Sequence, residues 1–244
     1  MSGAFDKAAQ ALRTASCAVA LTGAGISVES GIPSFRGDSG LWRKYPPEEY
    51  ATIDAYIENP ARVWAFWRER AHDFADCGPN AAHKALAGLE QRGILKAIVT
   101  QNIDHFHQQA GSRTVVEYHG NVHNLRCLDC GADEPLDIEN MPANVPRCPV
   151  CRGLMKPDVV MFGELIPTSA LAETDKWVSQ CDVLIVVGTS AQVFPAAALP
   201  YRAKENGAFI IECNVEPTGF TRTVTDAFLE GRAAATLPRL AGLV

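Results

Sequence analysis

Four short apolar runs recur along the chain with no polar alternation inside them: CAVALTG (17–23), ILKAIVTQN (94–102), CDVLIVVGTS (181–190) and AFIIECNVE (208–216). A strand with one wet face alternates apolar and polar residues, so unbroken runs of Val, Ile, Leu and Ala predict strands covered on both faces, as in a parallel sheet. Between them lie helix-like segments such as NAAHKALAGLEQRG (80–93), where Ala82, Leu86 and Leu89 recur at three- or four-residue steps and Gly93 closes the helix. Strands alternating with helices predict an α/β fold, a doubly wound parallel sheet.

Each run ends in a polar or glycine-rich loop: TGAGIS, TQNID, GTS and CNVE. In open parallel sheets ligands sit beyond the carboxyl ends of the strands, so these loops are expected to converge on one site. Two segments interrupt the alternation. Residues 38–77 hold three of the four tryptophans (Trp42, Trp64, Trp67) and three of the five tyrosines (Tyr45, Tyr50, Tyr56), which reads as a helical insert with an aromatic floor. Residues 121–157 carry CLDC and CPVC with little periodicity, which reads as a zinc module. The expected division is therefore a Rossmann-like nucleotide-binding domain (1–37, 78–120 and 158–244) and a small domain made of the insert and the module.

Composition narrows the possibilities. The 244 residues are 47% hydrophobic and 20% charged, ordinary for a globular chain. The net charge of −6 offers no basic surplus to track a phosphate backbone, so nucleic acid is not expected as a ligand. No stretch reaches the roughly 18 apolar residues of a spanning helix, and MSGAFDKAAQALRTAS has no long apolar signal region. The chain reads as cytoplasmic with no membrane partner. In that setting the paired cysteines read as metal ligands rather than disulfides.

Cys127-x-x-Cys130 and Cys148-x-x-Cys151, seventeen residues apart, have the spacing that lets two knuckles supply four thiolates to a tetrahedral zinc. Four sulfur ligands leave no position for water, so the expected metal is structural. The loop LTGAGISVESGIPSFRG (21–37) follows a strand, and its Gly23-Ala24-Gly25 would let backbone N–H groups approach a pyrophosphate. The third glycine of the dinucleotide fingerprint is missing, because that position is Val28; a plain strand-to-helix turn is the alternative. Gln101, Asn102 and Asp104 stand at a strand end where they could bind a carboxamide and ribose hydroxyls, or simply cap a helix. His119, before Gly120, could be a general base or an ordinary hydrogen-bonding histidine. In VWAFWRERAHDF, Val63, Trp64, Trp67, Arg70, Ala71 and Phe74 share one helical face, so either Arg70 closes a pocket with a positive charge or its guanidinium lies in water.

Taken together, GAGISVESGIPSFRG, TQNID, HGN, the two CxxC pairs, FGE (162–164), GTS (188–190) and NVE (214–216) resemble the sirtuin family, in order and over about residues 19–233. The resemblance implies an NAD-dependent protein-lysine deacylase with acyl-lysine proteins as substrates, NAD as a consumed co-substrate and one structural zinc. By that resemblance Gly23, Ala24, Gly25, Ile26, Ser27, Phe35 and Arg36 surround the pyrophosphate and nicotinamide ribose, and Gln101, Asn102 and Asp104 hold the nicotinamide and its ribose. Gly188, Thr189, Ser190, Asn214, Val215 and Glu216 serve the adenosine half, with Ala233 near the adenine. His119 is the implied base: the acyl oxygen attacks the ribose carbon as nicotinamide leaves, and the histidine helps a ribose hydroxyl attack the resulting imidate. Products would be lysine, nicotinamide and an O-acyl-ADP-ribose.

The substrate backbone is expected to pair between Val160–Glu164, which includes Phe162 and Gly163, and Gln192–Pro195. The desuccinylase branch of the family carries Tyr-x-x-Arg on the insert helix, with a small residue matched here by Ala51; this chain has Trp67-x-x-Arg70. Acetyl is therefore the expected acyl group, with succinyl, malonyl or glutaryl as alternatives. Protein mono-ADP-ribosylation and a non-catalytic NAD or ADP-ribose sensor are the other readings of the same motifs. Oligomeric state is not legible.

Overall fold

The structure is a computed structural model that describes residues 2–33 and 40–244. Phe35 and Arg36, expected at the cofactor site, lie outside the described residues.

Helix α1 (Ser2–Thr14) leads into strand β1 (Ala18–Thr22). Helices α2 (Pro47–Tyr50), α3 (Ile53–Glu58) and α4 (Pro60–Ala75) form the insert. Then follow α5 (Ala81–Gln91), β2 (Leu95–Thr100), α6 (Phe106–Gln109) and β3 (Val115–Glu117). Strands β4 (Gly120–Cys127), β5 (Asp133–Pro135) and β6 (Met155–Val159) span the cysteine segment. Helix α7 (Thr168–Gln180), β7 (Val183–Val187), α8 (Leu199–Glu205), β8 (Phe209–Asn214), β9 (Ala227–Glu230) and α9 (Ala233–Ala241) complete the chain.

All four expected strands form. They belong to a six-stranded sheet of order β3-β2-β1-β7-β8-β9 whose pairings are all parallel. Two short strands at the sheet edges, β3 and β9, complete it; at three and four residues they carry little periodic signal. Every residue of β1 and β7 is buried. Ala18 and Ala20 join a core under α1, α5 and α9, while Val19 and Leu21 join the opposite core under α7 and α8. That two-sided cover is why the runs lack alternation. Helix α1 earns its place by Phe5, Ala8, Ala9 and Leu12, spaced along one buried face.

Helix α5 starts at Asn80, whose side chain accepts the Ala82 N–H at 2.8 Å, while His83 Nδ1 accepts the Asn80 N–H at 3.3 Å. These reciprocal bonds satisfy two N–H groups that the helix cannot. Gly93 follows with φ +73, the left-handed ending its sequence position suggested.

The two interruptions pack on each other. Strands β5-β4-β6 form a three-stranded antiparallel sheet, more regular than the sequence implied. It begins at Gly120 and ends at Val159, slightly wider than 121–157. Tyr56, Val63, Phe66 and Trp67 of the insert share a core with Val122, Val159 and Met161. Trp64 packs with Leu125, Leu136, Cys148 and Met155, and its indole N–H donates to the Pro142 carbonyl at 2.9 Å. Truncating such a fully buried tryptophan costs about 3–5 kcal/mol.

Candidate functional site

The strand order reverses direction between β1 and β7, and there the TGAGIS and GTS loops meet. The Gly23 N–H donates to the Val187 carbonyl at 2.9 Å and the Gly25 N–H to the Gly188 carbonyl at 2.8 Å. A Cβ on Gly25 would lie 2.6 Å from Gly188 Cα, and one on Gly188 2.5 Å from Ile26 N. Only bare backbone fits, which keeps side chains away from the space a pyrophosphate would need.

Ser27 gathers the next loop. Its hydroxyl donates to Asp104 Oδ2 at 2.6 Å and accepts from Asn102 Nδ2 at 3.0 Å, with His83 Nε2 at 3.5 Å. Burial raises the Asp104 carboxyl above its ordinary value, opposed chiefly by the Ser27 hydrogen bond. Gln101 Nε2 donates to Thr189 Oγ1 at 3.1 Å, and Asn214 Nδ2 to the Thr189 carbonyl at 3.1 Å, so three strand ends are laced together. Below them Thr22 Oγ1 donates to Thr100 Oγ1 at 2.9 Å and lies 2.9 Å from His107 Nε2.

His119 lies 3.1 Å from the Gln101 carbonyl through Nδ1. A carbonyl only accepts, so Nδ1 carries the hydrogen and Nε2 is the nitrogen able to take a proton. Desolvation lowers its pKa below 6.5, partly offset by that hydrogen bond, so the ring is neutral at pH 7.

The glycine loops, Gln101, Asn102, His119, Thr189 and Asn214 border one cleft of about 1550 Å³. A pocket for one small-molecule ligand is roughly 300–1,000 Å³, so the cleft has room for two partners. Its lining includes Gly23, Ala24, Gly25, Gln101, Asn102, Gly188, Thr189, Ser190, Asn214, Val215, Glu216 and Ala233 of the expected cofactor set, together with the expected base His119. Ile26, Ser27 and Asp104 are not in the lining: Ile26 anchors the loop in the core, and Ser27 and Asp104 bond to each other beneath the surface. Ala51, Trp67, Val160, Phe162 and Gly163 line the opposite end. Arg70 is not brought into that lining. Its Nη2 lies 2.7 Å from Glu69 Oε1, and its guanidinium sits over the Tyr45 ring at 5.4 Å. The Trp67 indole N–H is buried with no hydrogen-bond partner among the described residues.

Several contributors carried no sequence signal. Glu29 lines the cleft and its Oε2 accepts the Ala234 N–H at 2.7 Å, tying the glycine loop to the start of α9. The loop after β8 is pinned by buried Glu212, which accepts the hydroxyls of Thr218, Thr221 and Thr225 at 2.5, 2.7 and 2.7 Å. Histidines 83 and 107 stand with ring centroids 4.9 Å apart. Glu29 and Ala234, 205 residues apart, leave no periodic trace.

The four cysteines 127, 130, 148 and 151 form a separate centre. Their sulfurs all lie within 4.8 Å of one another, with Cys127–Cys151 at 3.5 Å and Cys130–Cys148 at 3.6 Å. A tetrahedron with zinc–sulfur bonds of about 2.3 Å has edges of about 3.8 Å, so the donors fit one zinc with no coordination position left over. Each knuckle turns on a left-handed residue four places after its first cysteine, Gly131 (φ 72) and Arg152 (φ 67). None of these cysteines borders the cleft, so the metal is structural.

A family model described as the Sir2 family matches residues 23–195. A Pyrococcus furiosus protein named NAD-dependent protein deacylase is 46% identical over 234 residues, covering 94% of this chain and 93% of its own. A solved complex of a Sir2 homologue with NAD superposes with a TM-score of 0.92 at 40% identity, over 97% of this chain and 92% of that one. A Sir2 complex with a deacetylated p53 peptide and 3′-O-acetyl ADP ribose superposes at 0.89 with 34% identity, over 98% and 97% of the two chains. With the family match spanning more than half of its residues and near-full-length relatives well above 30% identity, the chain belongs to the Sir2 family, the sirtuins.

Proposed function

We propose that this protein is an NAD-dependent protein-lysine deacylase that transfers the acyl group to ADP-ribose and releases nicotinamide. The observation that carries the reading is the position of His119. It borders the cleft between the nucleotide loops and the Val160–Glu164 wall, neutral, with Nδ1 committed to the Gln101 carbonyl.

Bound NAD supplies the electrophilic ribose carbon. The chain's own residues do the rest. Gly23, Gly25 and Gly188 keep the pyrophosphate path clear, Gln101 and Asn102 face the nicotinamide half, and Thr189, Asn214 and Glu216 face the adenosine half. His119 Nε2 takes the proton of a ribose hydroxyl, a step general-base catalysis accelerates by about 10²–10⁴. The substrate chain lies extended between Val160–Glu164 and Gln192–Pro195, both bordering the cleft. In this reading residues 1–37, 78–120 and 158–244 form the nucleotide-binding unit, and 38–77 with 121–157 the unit that closes the substrate side. No helix among the described residues is long and apolar enough to cross a membrane. Four clustered cysteines poised as thiolate ligands favour a reducing cytoplasm.

At the acyl end, Ala51, Trp67, Ile103, Val159 and Met161 make an apolar wall, and Arg70 is engaged by Glu69 and Tyr45. This favours neutral acyl groups, acetyl first, over succinyl.

The test is nicotinamide release from NAD with an acetyl-lysine peptide, with product masses. Peptide-dependent release with an O-acetyl-ADP-ribose product is expected. His119→Ala should abolish turnover while retaining NAD binding. Release without peptide deacetylation, or mass gained by a target protein, would replace this reading with ADP-ribosyl transfer.

A further inference from the structure

We infer that Lys156, a buried lysine outside the cleft, is the positioning residue that sets the shape of the substrate strand; the inference rests on the deacylase reading above. Lys156 lies on β6, opposite Arg126 of β4 and next to Met155, which pairs with Cys127. It is 3% exposed. Burying an ammonium group is unfavourable unless it is paired and hydrogen-bonded, and a structural lysine on a strand would ordinarily extend to water.

Here the side chain folds toward its own downstream backbone. Nζ lies 2.7 Å from the Val159 carbonyl, 3.2 Å from the Pro157 carbonyl and 3.0 Å from Glu164 Oε2. Three acceptors match three ammonium protons. The same Glu164 oxygen accepts the Met161 N–H at 2.8 Å, and the Glu164 N–H returns to the Met161 carbonyl at 3.0 Å. One cation therefore ties together both ends of the turn Val159–Glu164.

The outer edge of that turn is committed as well. The Val160 N–H donates to the His119 carbonyl at 2.9 Å, the Phe162 N–H to the Ala51 carbonyl at 2.8 Å, and the Ile53 N–H to the Phe162 carbonyl at 3.0 Å. Among the described residues the Val160 carbonyl and the Gly163 N–H have no hydrogen-bond partner, and both residues border the cleft. An extended substrate chain pairs through such groups, and a strand fixed before binding loses less entropy on docking. Lys156 touches neither substrate nor cofactor. It acts through Glu164 and the backbone of the wall.

The experiment compares wild type, Lys156→Met, Lys156→Arg and Glu164→Gln, each with zinc content and melting temperature recorded. KM is measured separately for acetyl-lysine peptide and for NAD, and peptide affinity is read directly by fluorescence anisotropy. Lys156→Met should raise peptide KM and Kd by about tenfold or more, with NAD KM within about twofold of wild type. Lys156→Arg should recover a large part of the loss. Glu164→Gln keeps an oxygen for the Met161 N–H but removes the ion pair, and should reproduce the effect should Lys156→Met not fold. Unchanged peptide Kd in folded Lys156→Met or in Glu164→Gln, or equal losses for peptide and NAD, would overturn the role. A wild-type protein that binds no acyl-peptide would overturn the deacylase reading itself.

Discussion

Gly25 and Gly188 meet backbone to backbone: the Gly25 N–H donates to the Gly188 carbonyl at 2.8 Å, and a Cβ on either would sit within 2.6 Å of the other loop. Gly188 also has φ +58, where an L side chain is disfavoured. The contact joins β1 and β7 at the point where the strand order reverses. Gly188→Ala should therefore push the two loops apart and lower NAD affinity by at least about tenfold, a loss isothermal titration would register. Wild-type affinity in a folded Gly188→Ala protein would mean that the loops yield at no cost.

On the proposed deacylase reading, His119 sets the acid limb of activity. Desolvation holds its pKa below 6.5, so the neutral ring persists as pH falls through 6.5 and is lost only further down. The acid limb of the kcat profile should have its midpoint below pH 6.5. A midpoint above pH 7 would place the essential titration on another group.

Stability should fall with acid for a different pair. Burial pushes His83 down to about 4 and lowers His107 well below its ordinary 6.5, the nearby His83 adding to the shift on His107. The unfolded chain binds these protons near pH 6.5 and the folded chain does not, so stability is complete above 6.5 and is lost as pH falls toward 4. Urea midpoints taken between pH 7 and 4.5 should decline through that window. In His83→Gln, which keeps an acceptor for the Asn80 N–H, the slope should shrink; an identical slope would assign it elsewhere.

Cys148→Ser removes one of the centre's four thiolates, at a residue fully buried against Trp64 and Met155. Zinc per chain should drop from one toward zero, and the melting temperature should fall by several degrees, because metal affinity is folding free energy. Full zinc retention and an unchanged melting point would refute the four-sulfur centre.

The proposed acyl preference is tested at Trp67 and Arg70. Arg70 is engaged by Glu69 and Tyr45 rather than bordering the cleft, so Arg70→Met should leave acetyl-peptide kcat/KM within about threefold of wild type. Matched acetyl and succinyl peptides decide it: a succinyl preference that disappears in Arg70→Met would show that the guanidinium turns to read a carboxylate.

Much of the fold was legible because its signals are local. CAVALTG and CDVLIVVGTS announce strands covered on both faces, since each alternate residue faces one of two apolar layers. CLDC and CPVC announce a zinc centre because ligand spacing is itself the chemistry. The motif order carried the family, and with it most of the cleft lining. Tertiary structure alone decided the rest. Only packing shows that Ile26 anchors the core while Gly23 and Gly25 stay bare, that Ser27 and Asp104 bond beneath the cleft, and that Arg70 engages Tyr45 and Glu69. Lys156 belongs to the same class: its sequence setting is that of an ordinary strand lysine, and its role appears when the turn to Glu164 folds acceptors around the ammonium group. Periodicity and spacing specify which elements form, because those depend on neighbours along the chain. The partner of a polar side chain depends on which distant loop arrives beside it.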